Sequence, residues 1–202
     1  MKTLCVTGRS TASDADYERL LGGFRESAPD YFEVRDKGAA DRRVLELLRT
    51  AVGALGAGRV LANGRFDLAI AAGAAGVVLP EDGLPVAPVR RETPRGFRVG
   101  KSAHSPEDAL RAAHDGADLV LLGPIFDTPS KRRYGAPLSP AAVEAVGDSW
   151  PASAELFVIG GVDVDRLADL APIRGRIAGF AAIRAFEEAD DPGAVVREAR
   201  LR

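Results

Sequence analysis

The chain has 202 residues, 46% hydrophobic and 28% charged, a make-up that allows one sizeable core and is ordinary for a globular protein. Its 27 basic and 29 acidic residues leave a formal net charge of −2, which removes the bulk attraction that duplex nucleic acid or an anionic membrane would exploit. Cys5 is the sole cysteine and His104 and His114 the two histidines, so an internal disulfide and a His/Cys metal cluster are both excluded and any bound metal would need carboxylate ligands.

From Met1 the chain reads directly as a strand, and short apolar, β-branched runs then alternate with helical stretches rich in Ala, Leu, Arg and Glu. Strands are predicted at residues 4–7, 31–35, 60–63, 76–79, 98–102, 119–122, 156–159 and 179–183. Helices are predicted at 14–28, 41–55, 66–73, 86–92, 106–115, 140–147, 163–170 and 192–201. Most of the strand segments are nearly continuous hydrophobic runs, the mark of strands buried on both faces of a parallel sheet. Ser105 ahead of Pro106-Glu-Asp108 has the form of a helix start, and Gly116 that of a helix end. Eight βα units predict a single-domain α/β (β/α)8 barrel over residues 1–202, at the small end of the range for that fold. An open doubly wound sheet is the competing fold, weakened because Thr7-Gly-Arg-Ser-Thr-Ala12 stands where a Gly-x-Gly-x-x-Gly turn would follow the first strand. No apolar run approaches the roughly 20 residues of a bilayer span, no export signal is legible at the start, and a cytoplasmic location is the expectation.

A barrel of this kind carries its chemistry where the strands end at their C-termini, and those ends are polar here. Strand two runs into Glu33-Val-Arg35-Asp-Lys37, whose alternation is expected to put Glu33, Arg35 and Lys37 on one side. An ion pair at a strand end is the plainer meaning of that run. Strand three ends at Asn63, a donor and acceptor for a heterocycle or carbonyl, although Asn-Gly alone is more often a turn. Strand five leads into Ser102 and His104, two residues apart, and imidazole is the side chain best suited to proton transfer near neutral pH. His114 reads as structural. The stretch after strand six holds Thr128, Ser130 and Lys131 within a Pro- and Gly-rich loop that can clamp an anion or simply be a solvated basic surface. Gly160-Gly161 after strand seven, with Ile183-Arg184 after strand eight, occupies the place where such barrels hold a phosphate on backbone N–H groups.

Taken in order, Glu33-Val-Arg-Asp-Lys37, Leu61-Ala-Asn-Gly-Arg-Phe-Asp-Leu-Ala69, Gly76-Val-Val-Leu-Pro80, Gly100-Lys-Ser-Ala-His-Ser-Pro-Glu-Asp-Ala109, the run from Gly116 to Lys131 and Ile159-Gly-Gly-Val162 resemble the thiamine phosphate synthase/TenI family. The resemblance reaches from strand two to strand eight. For the synthase branch it implies a transferase that joins an aminomethylpyrimidine diphosphate to a thiazole phosphate with Mg²⁺. Arg35, Lys37, Ser102, Thr128, Ser130 and Lys131 would then meet the diphosphate and Asn63 the pyrimidine. Four positions depart from that pattern. Gly64 stands where the synthase has an aspartate, Pro80-Glu-Asp-Gly83 loses the register of its acidic motif, Glu33 replaces a glutamine, and Arg184 replaces a serine beside the phosphate. The Asn-Gly-Arg and Val-Leu-Pro forms resemble instead the TenI branch, whose isomerases convert a carboxylated thiazole phosphate to its aromatic tautomer without a metal cofactor, with a histidine in the position of His104 as acid/base. The expectation is therefore a thiazole tautomerase of thiamine (vitamin B1) biosynthesis acting on a small phosphorylated thiazole. Glu33 is counted among its substrate-binding residues, and neither a nucleic acid nor a membrane among its partners. Alternatives are the synthase, with Mg²⁺, and a non-catalytic barrel that binds thiazole or thiamine phosphate. Homo-oligomerisation is left open.

Overall fold

A computed structural model describes residues 1–127 and 136–202. Its strands are β1 (Lys2–Val6), β2 (Tyr31–Val34), β3 (Val60–Asn63), β4 (Gly76–Leu79), β5 (Arg98–Ala103), β6 (Leu119–Leu122), β7 (Glu155–Ile159) and β8 (Gly179–Ala182). They follow one another in chain order as a closed barrel. The pairings are parallel, with Glu33 opposite Val6 on one side and Leu61 on the other, and Leu122 opposite Ala103 and Val158. The predicted strands β3, β4 and β6 match to the residue, and the others differ by one or two residues at an end.

The helices between them are α1 (Asp14–Gly22), α2 (Asp41–Leu55), α3 (Phe66–Ala72), α4 (Val86–Glu92), α5 (Pro106–His114), α6 (Ala141–Val146), α7 (Arg184–Glu187) and α8 (Pro192–Leu201). Helix α5 starts as its sequence requires. The Ser105 hydroxyl accepts from the Asp108 N–H at 3.1 Å and Pro106 occupies the first turn, where its missing donor costs nothing. Two predicted helices change form. Helix α1 stops at Gly22 instead of 28, because Phe24 turns inward and is 1% exposed, its N–H bonding back to Leu21 O at 3.1 Å. The predicted helix at 163–170 is instead a 3₁₀ stretch, Asp165–Arg176. It opens with the tighter three-residue bonds Arg166 N–H to Asp163 O and Leu167 N–H to Val164 O, and Pro172 cannot donate to an α-helical ladder.

The chain falls into two compact units, Met1–Val78 with Ile183–Arg202, and Leu79–Ala182. In the first, Phe24 lies edge-on to Phe32 of β2 at 6.1 Å between ring centres and to Phe186 of α7 at 5.9 Å, and Tyr17 of α1 closes on Phe32 at 6.2 Å. In the second, Val99, Leu119, Val120, Phe157, Val158 and Phe180 are fully buried. No helix among the described residues is long and apolar enough to cross a membrane. Because Phe24 joins the ring of β2 to the ring of α7, Phe24→Ala is expected to cost about 3–5 kcal/mol through lost burial and the cavity left behind, measured as a fall in the urea midpoint with an unchanged m-value.

Candidate active site

In the first unit the polar residues gather at the C-terminal ends of β1, β2 and β3. Glu33 is the penultimate residue of β2 and only 2% exposed. Its Oε1 accepts from Asn63 Nδ2 at 2.7 Å, so the two residues singled out on neighbouring strands form one pair. Burial pushes the Glu33 carboxyl up to about 7, with the Asn63 hydrogen bond and the Arg35 charge working in the opposite direction. The alternation expected to continue through Arg35 to Lys37 stops at Val34. There the Thr7 hydroxyl, just past the end of β1, accepts from Arg35 N–H at 2.7 Å and donates to Arg35 O at 3.0 Å, and this clamp takes the chain out of the sheet. Arg35 is half-buried and Lys37 exposed. The Arg65 guanidinium is spent on Asp67, at 2.7 Å, and on Asp41. Cys5 is buried, and desolvation, with the nearby Glu187 and Glu33 charges, drives its thiol far above the usual range, so it is no nucleophile.

In the second unit His104 follows β5, with its side chain 39% exposed. Its Nδ1 makes a hydrogen bond with the Gly123 carbonyl. A carbonyl only accepts, so Nδ1 carries the hydrogen and Nε2 is the bare nitrogen of the neutral ring. The Glu81 carboxylate lies 3.8 Å from that Nε2. Lys101 points to the opposite side of β5 from Ser102 and His104, as strand alternation requires. Its ammonium donates to the carbonyls of Pro80 at 2.7 Å, Glu81 at 3.0 Å and Leu84 at 3.3 Å, and thereby pins the loop that presents Glu81. Burial lowers the Lys101 pKa against the raising effect of Glu81, Asp82 and Asp108.

Gly160 and Gly161 have φ values of +94° and +69°. A Cβ on Gly160 would fall 2.6 Å from Pro124 Cα and one on Gly161 2.7 Å from Phe126 Cβ. The pair is thus demanded by packing against the segment after β6, whose Ile125 and Phe126 N–H groups bond to the carbonyls of Ile159 and Gly160. Ile183 is half-buried and caps α7, and Arg184 is exposed. Thr128, Ser130, Lys131 and the loop 131–135 lie outside the described residues.

Among the described residues the donors do not fit a divalent metal ion. Among the described residues no three His, Cys, Asp or Glu side chains converge as a ligand set. The residue after Asn63 is Gly64, at φ +73°, with its N–H on Val78 O at 2.8 Å. The carbonyl-lined loop after β4 already holds a cation, the Lys101 ammonium. Hard cations require several converging oxygens.

A closed ring of eight parallel strands in chain order, with polar residues at the strand ends, defines the chain as a (β/α)8 barrel. It belongs to the thiamine monophosphate synthase family, whose TMP-TENI model matches residues 3–186, and so to thiamine biosynthesis. It is 37% identical over 179 residues to a thiamine-phosphate synthase of Methanoculleus marisnigri, covering 86% of this chain and 81% of that one. It is 41% identical over 164 residues to that of Anaeromyxobacter dehalogenans, covering 80% and 72%. The thiamine phosphate pyrophosphorylase of Pyrococcus furiosus shares the fold with a TM-score of 0.77 at 24% identity, over 99% of this chain and 94% of that one.

The sequence singles out Glu33, Asn63 and His104, but gives no sign of the Thr7 clamp, the Lys101 cage or the Glu187 contacts, whose partners are distant in sequence. A raised carboxyl pKa has a definite sign. Between the ordinary carboxyl value of 4.5 and about 7 the unfolded chain releases a proton that native Glu33 keeps, so native stability falls as pH rises through that window and the full cost is present above it. Glu33→Gln is therefore expected to gain stability over the parent at pH 8, by up to about 3 kcal/mol, with the gain shrinking toward pH 4.5. Urea titrations of both proteins at several pH values measure it.

Proposed function

We propose that the chain is a TenI-like thiazole tautomerase, converting a carboxylated thiazole phosphate to its aromatic tautomer. The observation that carries this reading is the tautomer of His104. With Nδ1–H committed to the Gly123 carbonyl, Nε2 is a base presented at a strand end, able to take a proton from one atom of the substrate and return it at another. The Glu81 carboxylate lies 3.8 Å from that nitrogen. Because the proton leaves and returns, no external acid, oxidant or metal is required, which suits a chain with Gly64 at the family's aspartate position. The Glu33–Asn63 pair supplies a polar edge for the heterocycle, and Ser102, Arg35 and Lys37 are further binding candidates with Thr128, Ser130 and Lys131. The resemblance assigns the substrate phosphate to backbone N–H groups of Gly160, Gly161, Ile183 and Arg184.

The second reading is thiamine-phosphate synthase, the name borne by the relatives at 37% and 41% identity. It calls on Mg²⁺, for which the described residues offer no converging ligand set.

One pair of assays separates the two. Offered the thiazole carboxylate tautomer, the protein is expected to isomerise it equally with and without chelator, and His104→Asn to lower kcat by about 10²–10⁴-fold. Loss of isomerisation in chelator, or Mg²⁺-dependent joining of pyrimidine diphosphate to thiazole phosphate, would overturn the tautomerase in favour of the synthase, whereas normal turnover by His104→Asn would overturn the His104 acid/base mechanism.

A further inference from the structure

The turn after β1 has three backbone N–H groups, on Gly8, Arg9 and Ser10, facing the same way at the start of a short 3₁₀ segment, Arg9–Ala12, that has no local side-chain cap. They are capped from the other end of the chain. Glu187 Oε1 accepts from Gly8 N–H at 2.6 Å, Ser10 N–H at 3.0 Å and the Ser10 hydroxyl at 2.5 Å, while Oε2 accepts from Arg9 N–H at 3.0 Å. Four donors on one carboxylate, both oxygens used, are far more than a surface glutamate collects, and charge-assisted bonds of this length are the strong kind.

Glu187 is the last residue of α7, and that helix has further anchors. Phe186 is fully buried against Phe24, and Arg19 Nη2 donates to the Glu187 carbonyl at 3.0 Å. Gly8 packs so closely on Ile183 that a Cβ would lie 2.7 Å from its Cγ2 and 3.1 Å from Glu187 Oε2. The turn at Ile183-Arg184 therefore has its position set from behind, by the loop after β1, while Arg184 itself faces solvent.

We propose that Glu187 is a positioning residue for phosphate recognition: by plugging the Gly8–Ser10 turn it holds the Ile183-Arg184 backbone where a substrate phosphate can be met. This rests on the reading of that turn as part of the phosphate site, and it applies equally to a tautomerase or a synthase. It assigns a functional purpose to a carboxylate that lies 179 residues from the Gly8 N–H it accepts from.

The test uses the whole protein and inorganic phosphate as probe, with binding followed by isothermal titration and turnover measured on the phosphorylated substrate. Glu187→Ala is expected to weaken phosphate and to raise KM by about tenfold while kcat stays within about threefold. Glu187→Gln keeps one accepting oxygen but sets an amide N–H₂ against the Arg9 N–H, so an intermediate loss is expected. Ser10→Ala, which removes a single donor, is expected to give a smaller loss in the same direction, and it remains informative if Glu187→Ala does not fold. Folded variants that lose thermal stability but bind phosphate with parental affinity, or that lose kcat at unchanged KM, would overturn the proposal. If the parent protein itself binds no phosphate, the phosphate site falls first and the role of Glu187 with it.

Discussion

A parallel strand covered on both faces has nowhere to put a polar side chain except at its ends, and that constraint shapes everything else in this protein. Strands β2, β4, β6 and β8 are buried along their whole length, and their backbone groups are consumed by the ladders. Chemistry is thereby displaced to the residues at which each strand runs out. The structure handles these ends with backbone-directed clamps. The Thr7 hydroxyl takes both polar groups of Arg35, the Lys101 ammonium gathers the carbonyls after β4, and the Glu187 carboxylate gathers the N–H groups after β1. Each clamp satisfies main-chain groups that no ladder reaches, and each fixes a loop from which a polar side chain projects.

Glu33 is a charged-type exception to the rule that polar groups stay at strand ends in water, and it is costly. A carboxyl with 2% exposure, held by one amide hydrogen bond, loses most of its hydration and keeps its proton to near neutral pH. Stability is spent there on a titratable group that the core does not need, the sort of local inconsistency that marks functional positions. Cys5 next to it shows the opposite outcome of the same environment: burial and two nearby carboxylates silence its thiol.

How far the sequence led can be judged element by element. The order of eight strands, the starts of α2 and α5, and the boundaries of β3, β4 and β6 followed from apolar runs, a serine cap and glycine punctuation, all local signals. Helix α1 was overextended because Ala and Arg propensity continues past Gly22, while tertiary burial of Phe24 ends the helix there. The 163–170 segment has helical composition, but its i to i+3 bonding and Pro172 leave it a 3₁₀ stretch. At the site, the sequence marks Gly160-Gly161 as a phosphate feature, whereas in the fold the two glycines also answer to Pro124 and Phe126, a packing demand that has no trace in their own neighbourhood of sequence.

By itself, then, the sequence determined the βα alternation, the absence of a disulfide, and the residue types at each strand end, since these depend on hydrophobic period and composition. Its motifs also determined the family. Only tertiary structure decided that Glu33 and Asn63 are one pair, that His104 carries its hydrogen on Nδ1 because Gly123 offers a carbonyl there, and that Glu187 completes the turn after β1. Each of these is a hydrogen bond between residues 19 to 179 positions apart. Such a bond is specified by where strands bring their ends, and side chains of the same type at the same spacing in another fold would never meet.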